Sequence, residues 1–212
     1  MFFNDRLDAA RQLAAKLTAW CDKNPLVLAI PRGGVPMGEV LAMSLHGELD
    51  VALVHKLSSR WNPEYAIGAI DESGWSFIAD AAEAESSWLQ RERASRLAEL
   101  HERRALYSSG SSPADPSGRI VIVVDDGLAT GATMIAALHA ARARTPERLI
   151  CAVPVAAPDS LRKVEADADE TVCLLAPWQF QAVGQFYREF GQVSDAEVIA
   201  CLRRCRYAAP AS

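Results

Sequence analysis

Residues 120–133 read IVIVVDDGLATGAT, an apolar run that ends on two adjacent carboxylates and passes into a loop of glycines and threonines. The run 120–124 has no polar alternation, the pattern of a strand buried on both faces of a parallel sheet. Helical spacing from about Met134 predicts that a helix leaves the loop. In open parallel sheets ligands sit at the carboxyl ends of the strands, where loops diverge and helix N-termini point inward. Gly127 and Gly131 allow close backbone approach or positive φ, so that successive N–H groups can surround an anion. The hydroxyls of Thr130 and Thr133 add donors, and the helix dipole favours negative charge at the same place. Two carboxylates beside such a cradle make sense if they face another part of the same ligand, either sugar hydroxyls or a divalent cation. The segment therefore predicts a phosphorylated sugar. Alone, Asp125 and Asp126 would merely end a strand and Thr130 would cap a helix; the whole string from Val123 to Thr133 is what argues for a ligand. A Walker A loop is excluded, because Ala132 stands where its lysine would be, and GxGxxG is absent.

The same grammar runs through the chain. LVLAI (26–30) ends at PRGG, and VALVH (51–55) ends at Lys56. Between them VPMGEVLAMSLHG has helical spacing and closes on Gly47 as a C-cap. Leu7, Ala10, Leu13, Ala14, Leu17 and Trp20 recur at helical spacing after the capping residues Asn4 and Asp5. AIGAIDESGWSFIAD alternates around an ESG turn and predicts a hairpin, residues 81–107 a long charged helix, and SSGSSPADPSG (108–118) a connector. LICAVPV (149–155), a short helix after Pro158 and TVCLL (171–175) complete the series. Buried strands alternating with helices predict an α/β fold, a mostly parallel sheet flanked by helices, in one domain spanning 1–212.

At 212 residues, half of them apolar, the chain can bury one good core. A net charge of −5 gives no general attraction for nucleic acid, so no nucleic-acid partner is expected. Cys21, Cys151, Cys173, Cys201 and Cys205 form no CxxC pair and predict free thiols in a reducing compartment. The N-terminus turns charged at once and no apolar run approaches membrane-spanning length, which predicts a cytoplasmic protein without a membrane partner.

The string IVIVVDDGLATGAT resembles the phosphoribosylpyrophosphate (PRPP) loop of type I phosphoribosyltransferases, and the element order resembles that Rossmann-like family over most of the chain. Its nearest likeness is to bacterial members without an assigned acceptor. The resemblance implies that Asp125 and Asp126 contact the ribose hydroxyls, and that Gly127, Leu128, Ala129, Thr130, Gly131, Ala132 and Thr133 hold the 5′-phosphate. It implies a pyrophosphate loop at AIPRGG (29–34), with Arg32, Gly33 and Gly34, joined by Lys56; His55 departs from the arginine that several members carry. A β-hairpin lid at about 57–78 would bring Arg60, with Trp61 and Tyr65 as lid aromatics. A small hood from about 1–24 and 176–207 would offer Trp178, Phe180 or Tyr187 to the acceptor, although core packing or a dimer contact accounts for these aromatics equally well. Oxopurine enzymes of the family place an aspartate where this chain has Ala129. The implied reaction is displacement of pyrophosphate from Mg-PRPP by a nitrogenous acceptor, with Mg²⁺ bound mainly through PRPP and Asp125, Asp126, Arg32, Lys56 and Arg60 as the catalytic set. A homodimer is implied as well. The alternatives are a PRPP-sensing regulator without turnover and an unrelated sugar-phosphate enzyme.

Overall fold

The computed structural model describes residues 3–61, 66–78, 87–108 and 112–208. Five strands, β1 (Leu26–Ala29), β2 (Glu48–Val51), β6 (Ile120–Val124), β7 (Arg148–Val155) and β8 (Glu170–Leu175), form one parallel sheet in the order β2-β1-β6-β7-β8. Both faces are covered, which is why LVLA and IVIVV lack alternation. On one face Val27, Ala29, Ile122, Val124, Ile150 and Ala152 pack into a core with α1 (Arg6–Lys16), α2 (Gly34–Leu45) and α6 (Asp195–Ala208). On the other face Leu26, Leu28, Val121, Val123, Leu149, Cys151 and Val153 meet α4 (Ala132–Arg142) and α5 (Pro158–Glu165). Period-two geometry sorts each apolar run between two cores. Residues 195–208, treated above only as part of the hood, form α6 and bury Val198, Cys201 and Leu202.

A second, antiparallel sheet holds β3 (Val54–Ser58), β4 (Ala66–Asp71) and β5 (Ser76–Ile78) in that order. The ESG hairpin is present, its turn organised by the Asp71 carboxylate, which accepts from Ser73 N (2.9 Å) and Trp75 N (3.0 Å). The sheet packs on α4, with Phe77 edge-on to His139 at 4.9 Å. α3 (Ser87–Ser108) forms within the expected helix 81–107; residues 81–86 lie outside the described ones.

Two local expectations are corrected. VALVH is not one strand: Val51 ends β2, Ala52 and Leu53 leave the parallel sheet, and Val54 begins β3. Lys56 consequently stands inside an antiparallel strand opposite Ala69 instead of at the mouth of a parallel one. The left-handed residue ending α2 is His46 (φ 54), not Gly47. Gly47 donates its N–H to Ala42 O (2.9 Å), and a Cβ there would lie 2.3 Å from Pro25 O, so close approach explains this glycine.

Candidate active site

From β1 the chain crosses through α2 to β2 at one sheet edge; from β6 it crosses through α4 to β7 on the other side. Strands β1 and β6 are neighbours, with Ala29 opposite Val124, so the loops after them diverge at the switch point of the sheet. Ile30 N donates to Val124 O (2.9 Å), and the Pro31–Arg32 peptide that follows is cis. A Cβ at residue 33 would fall 2.0 Å from Asp126 Oδ2, and one at residue 34 would fall 2.7 Å from Val124 O. Only glycines let the 31–34 loop lie directly against the acid pair.

The loop after β6 is anchored from below. Leu128 is buried, its N–H donating to Val155 O (2.9 Å) and its carbonyl accepting from Ala157 N (2.9 Å), and Ser160 Oγ donates to Ala129 O (2.6 Å). Gly131 takes φ 76 and turns the chain into α4. Among the described residues the N–H groups of Ala129, Thr130, Gly131 and Thr133 have no protein acceptor, while Ala129, Thr130 and Thr133 are exposed. These amides at the start of an 11-residue helix form an anion cradle. The Leu128 N–H is committed elsewhere, which leaves it out of that cradle.

Asp125 Oδ1 accepts the Asp126 N–H (2.8 Å), and Asp126 Oδ2 accepts Arg6 Nε (2.9 Å) and pairs with Nη2 (2.8 Å). One oxygen of each carboxylate is left without a donor from another residue. Burial, then the charge of Asp126, pushes the Asp125 carboxyl well above the ordinary carboxylate range. Burial also raises Asp126, with Arg6 opposing. The Arg6 Nη1 donates to Gly191 O (2.7 Å), its guanidinium lies 3.9 Å from the Phe190 ring centre, and Tyr187 OH donates to Asp126 O (2.7 Å).

The remaining site candidates are dispersed. Arg32 is about half exposed on the loop beside the acids, 4.0 Å from the Asp195 carboxylate. Lys56 lies inside β3, opposite Ala69 of β4. Arg60 stacks on the exposed Trp61 at 5.0 Å, and Tyr65 lies outside the described residues. Trp178 is 90% exposed and Phe180 stacks on Phe186 at 5.5 Å. Tyr187 is buried against Phe3 and Phe190, which removes it as a stacking surface for an acceptor. A separate cavity of about 470 Å³ lies between β2, α3, α4 and residues 113–116, away from the two loops.

Arg6 is absent from the sequence-based set, yet a signal was there. It occupies the first position of α1, where the helix dipole disfavours a cation, so its charge calls for a tertiary partner.

A family model described as the phosphoribosyl transferase domain matches residues 4–188, which include both loops and the acid pair. The chain belongs to this family. Two Mycobacterium tuberculosis proteins that carry the provisional name phosphoribosyl transferase, from strains H37Rv and CDC 1551, are each 42% identical over 206 residues. Those matches cover 95% of this chain and 46% of the relatives, so the chain spans about half the length of the curated relatives it matches. The crystal structure of TT1426 from Thermus thermophilus is similar at TM-score 0.89 and 42% identity, over 96% of this chain and 99% of that one. For this phosphoribosyl transferase domain, the five-stranded parallel sheet flanked by helices agrees with the family fold that the sequence implied.

Proposed function

We propose that the chain transfers the phosphoribosyl group of Mg-PRPP to a nitrogen nucleophile such as a nucleobase. The observation that carries this reading is the meeting of two loops at one switch point, where a glycine pair lies against two acids beside a set of unpaired amides. The free amides of Ala129, Thr130, Gly131 and Thr133 hold the 5′-phosphate. The unpartnered oxygens of Asp125 and Asp126 accept the two ribose hydroxyls, one each. Arg32 and the Gly33 backbone face the pyrophosphate, the Gly34 N–H being committed to Ile30 O (3.0 Å), with Lys56 and Arg60 reaching it from the hairpin when that closes.

The C1′–O bond to pyrophosphate breaks with its electron pair leaving on the pyrophosphate, the acceptor nitrogen bonds to C1′, and that nitrogen loses a proton. The residues fit a magnesium ion: two adjacent carboxylates supply hard oxygens, and the one arginine beside them is paired with Asp126 alone. Held mainly by PRPP oxygens beside Asp125 and Asp126, Mg²⁺ supplies charge neutralisation for the departing pyrophosphate. Ala129 is exposed and carries no ionisable group where oxopurine enzymes have an aspartate, which favours an acceptor that needs no proton exchange there.

Calorimetry with Mg-PRPP tests the reading. Binding is expected for the wild type and is expected to collapse in the Asp125→Asn/Asp126→Asn double variant; equal affinity in both would sink it. The placement of Lys56 in the antiparallel sheet, and not at the end of a parallel strand, favours a second reading, a PRPP sensor without turnover. Release of pyrophosphate from PRPP with a panel of bases and amines separates the two.

A further inference from the structure

The N-terminal segment meets residues 186–191, which precede α6, beside the acid pair. Phe3 N donates to Phe186 O (2.8 Å), Arg188 N to Phe3 O (2.9 Å) and Glu189 N to Asn4 O (2.9 Å), so the N-terminal segment is zipped to residues 186–189. Three groups from this zipped unit converge on one aspartate or on the arginine that holds it. Arg6 grips the Asp126 carboxylate with Nε and Nη2, Tyr187 OH holds the Asp126 carbonyl, and Gly191 O with the Phe190 ring fixes the far side of the guanidinium. The side chains of Arg6 and Asp126 are 13% and 16% exposed, so their pairing is little screened. The same Asp126 Oδ2 abuts Gly33, where a Cβ would lie 2.0 Å from it, so the carboxylate is confined between the glycine and the guanidinium.

We propose that Arg6 is a positioning residue for the sugar site. It fixes the Asp126 carboxylate so that one defined oxygen remains for a ribose hydroxyl, and it ties that acid to the segment 186–191 through Gly191 O. This rests on the assignment of Asp125 and Asp126 to the ribose hydroxyls. Arg6 has a second effect on the same ligand: it neutralises the Asp126 charge, which would otherwise oppose the approach of a polyanionic sugar phosphate. A fork of donors is required, because one ammonium cannot bind Asp126 and Gly191 O in the same planar arrangement.

Mg-PRPP affinity of Arg6→Ala, Arg6→Gln and Arg6→Lys decides the matter, read by calorimetry beside thermal unfolding of each variant. Loss of one partner of a buried, hydrogen-bonded charge pair predicts binding at least about tenfold weaker for alanine and glutamine. Lysine is expected to recover part of the loss, and added guanidinium ion to restore affinity in Arg6→Ala; a purely structural role would produce neither rescue. Folded Arg6→Gln with wild-type affinity would overturn the proposal, and if alanine fails to fold, the contrast between lysine and glutamine decides. Absence of Mg-PRPP binding by the wild type is a different result, which removes the assignment of the acids and this inference with it.

Discussion

The Asp125 carboxyl sits at the end of β6 beside a second acid, and burial followed by the Asp126 charge holds its pKa well above the ordinary 3.8. Above that ordinary value the unfolded chain ionises while the native carboxyl stays protonated, until pH passes the raised native value. The unfolded state therefore binds fewer protons through that window, and stability falls as pH rises. Asp125→Asn keeps the acceptor for the Asp126 N–H and removes the ionisation. Near pH 7 the variant is expected to be more stable than the wild type, a gain that shrinks toward pH 4. Urea unfolding at several pH values checks this, and a difference independent of pH would show that the buried charge is not its cause. At this scale the acids and glycines of both loops were legible, because each motif is a short contiguous string. The Arg6 pairing was not, since its partner lies 120 positions away and only folding brings them together.

Helix α3 is strongly charged; beside the buried Leu89, Leu100 and Tyr107 it docks through one buried guanidinium. Arg104 donates through Nη1 to Asp50 Oδ1 (2.6 Å), through Nη2 to Val51 O (3.1 Å), and to both oxygens of Glu72. One side chain thus joins α3 to β2 and to the turn between β4 and β5. Arg104→Ala leaves Asp50, only 6% exposed, facing Glu72 without a cation, and is expected to cost about 3 kcal/mol. Arg104→Lys should recover a minority of that loss because it lacks the planar fork. Chemical denaturation of both variants measures it; losses under about 0.5 kcal/mol would place the docking energy in apolar contacts instead. At the scale of elements most strands and helices could be read from periodicity. The split of VALVH could not, because apolar residues on both sides of Ala52 and Leu53 carry no local mark of which sheet will claim them.

Across the whole molecule the hydrogen-bonded sheet core contrasts with the zipped unit of the N-terminal segment and residues 186–189. Ile122 and Ala152 are fully buried in central strands of a continuous hydrogen-bonded sheet, whereas residues 186–189, although Phe186 and Tyr187 join the same core, are held to the N-terminal segment by three backbone bonds and the Phe3–Tyr187 contact, and to Asp126 O by the Tyr187 hydroxyl. Such a unit opens without global unfolding. In native-state hydrogen exchange the amides of Phe3, Arg188 and Glu189 are expected to exchange together and faster than those of Ile122 and Ala152. Tyr187→Ala should accelerate the first group alone, whereas uniform exchange across all five would mean that the zipped unit shares the stability of the core.

By itself the sequence determined the kind of elements, the two glycine-bearing loops and the order, after β6, of two acids followed by a glycine and threonine loop. Each depends on residues within a dozen positions of one another, where periodicity, glycine placement and helix-terminal chemistry act. Only the tertiary structure decided the strand order that sets β1 beside β6, the contact of Gly33 with Asp126, the placement of Lys56 in a second sheet and the grip of Arg6 and Tyr187 on Asp126. These are contacts between distant parts of the chain. They arise because closing the two cores leaves few arrangements that pair every strand and cover both faces of the sheet.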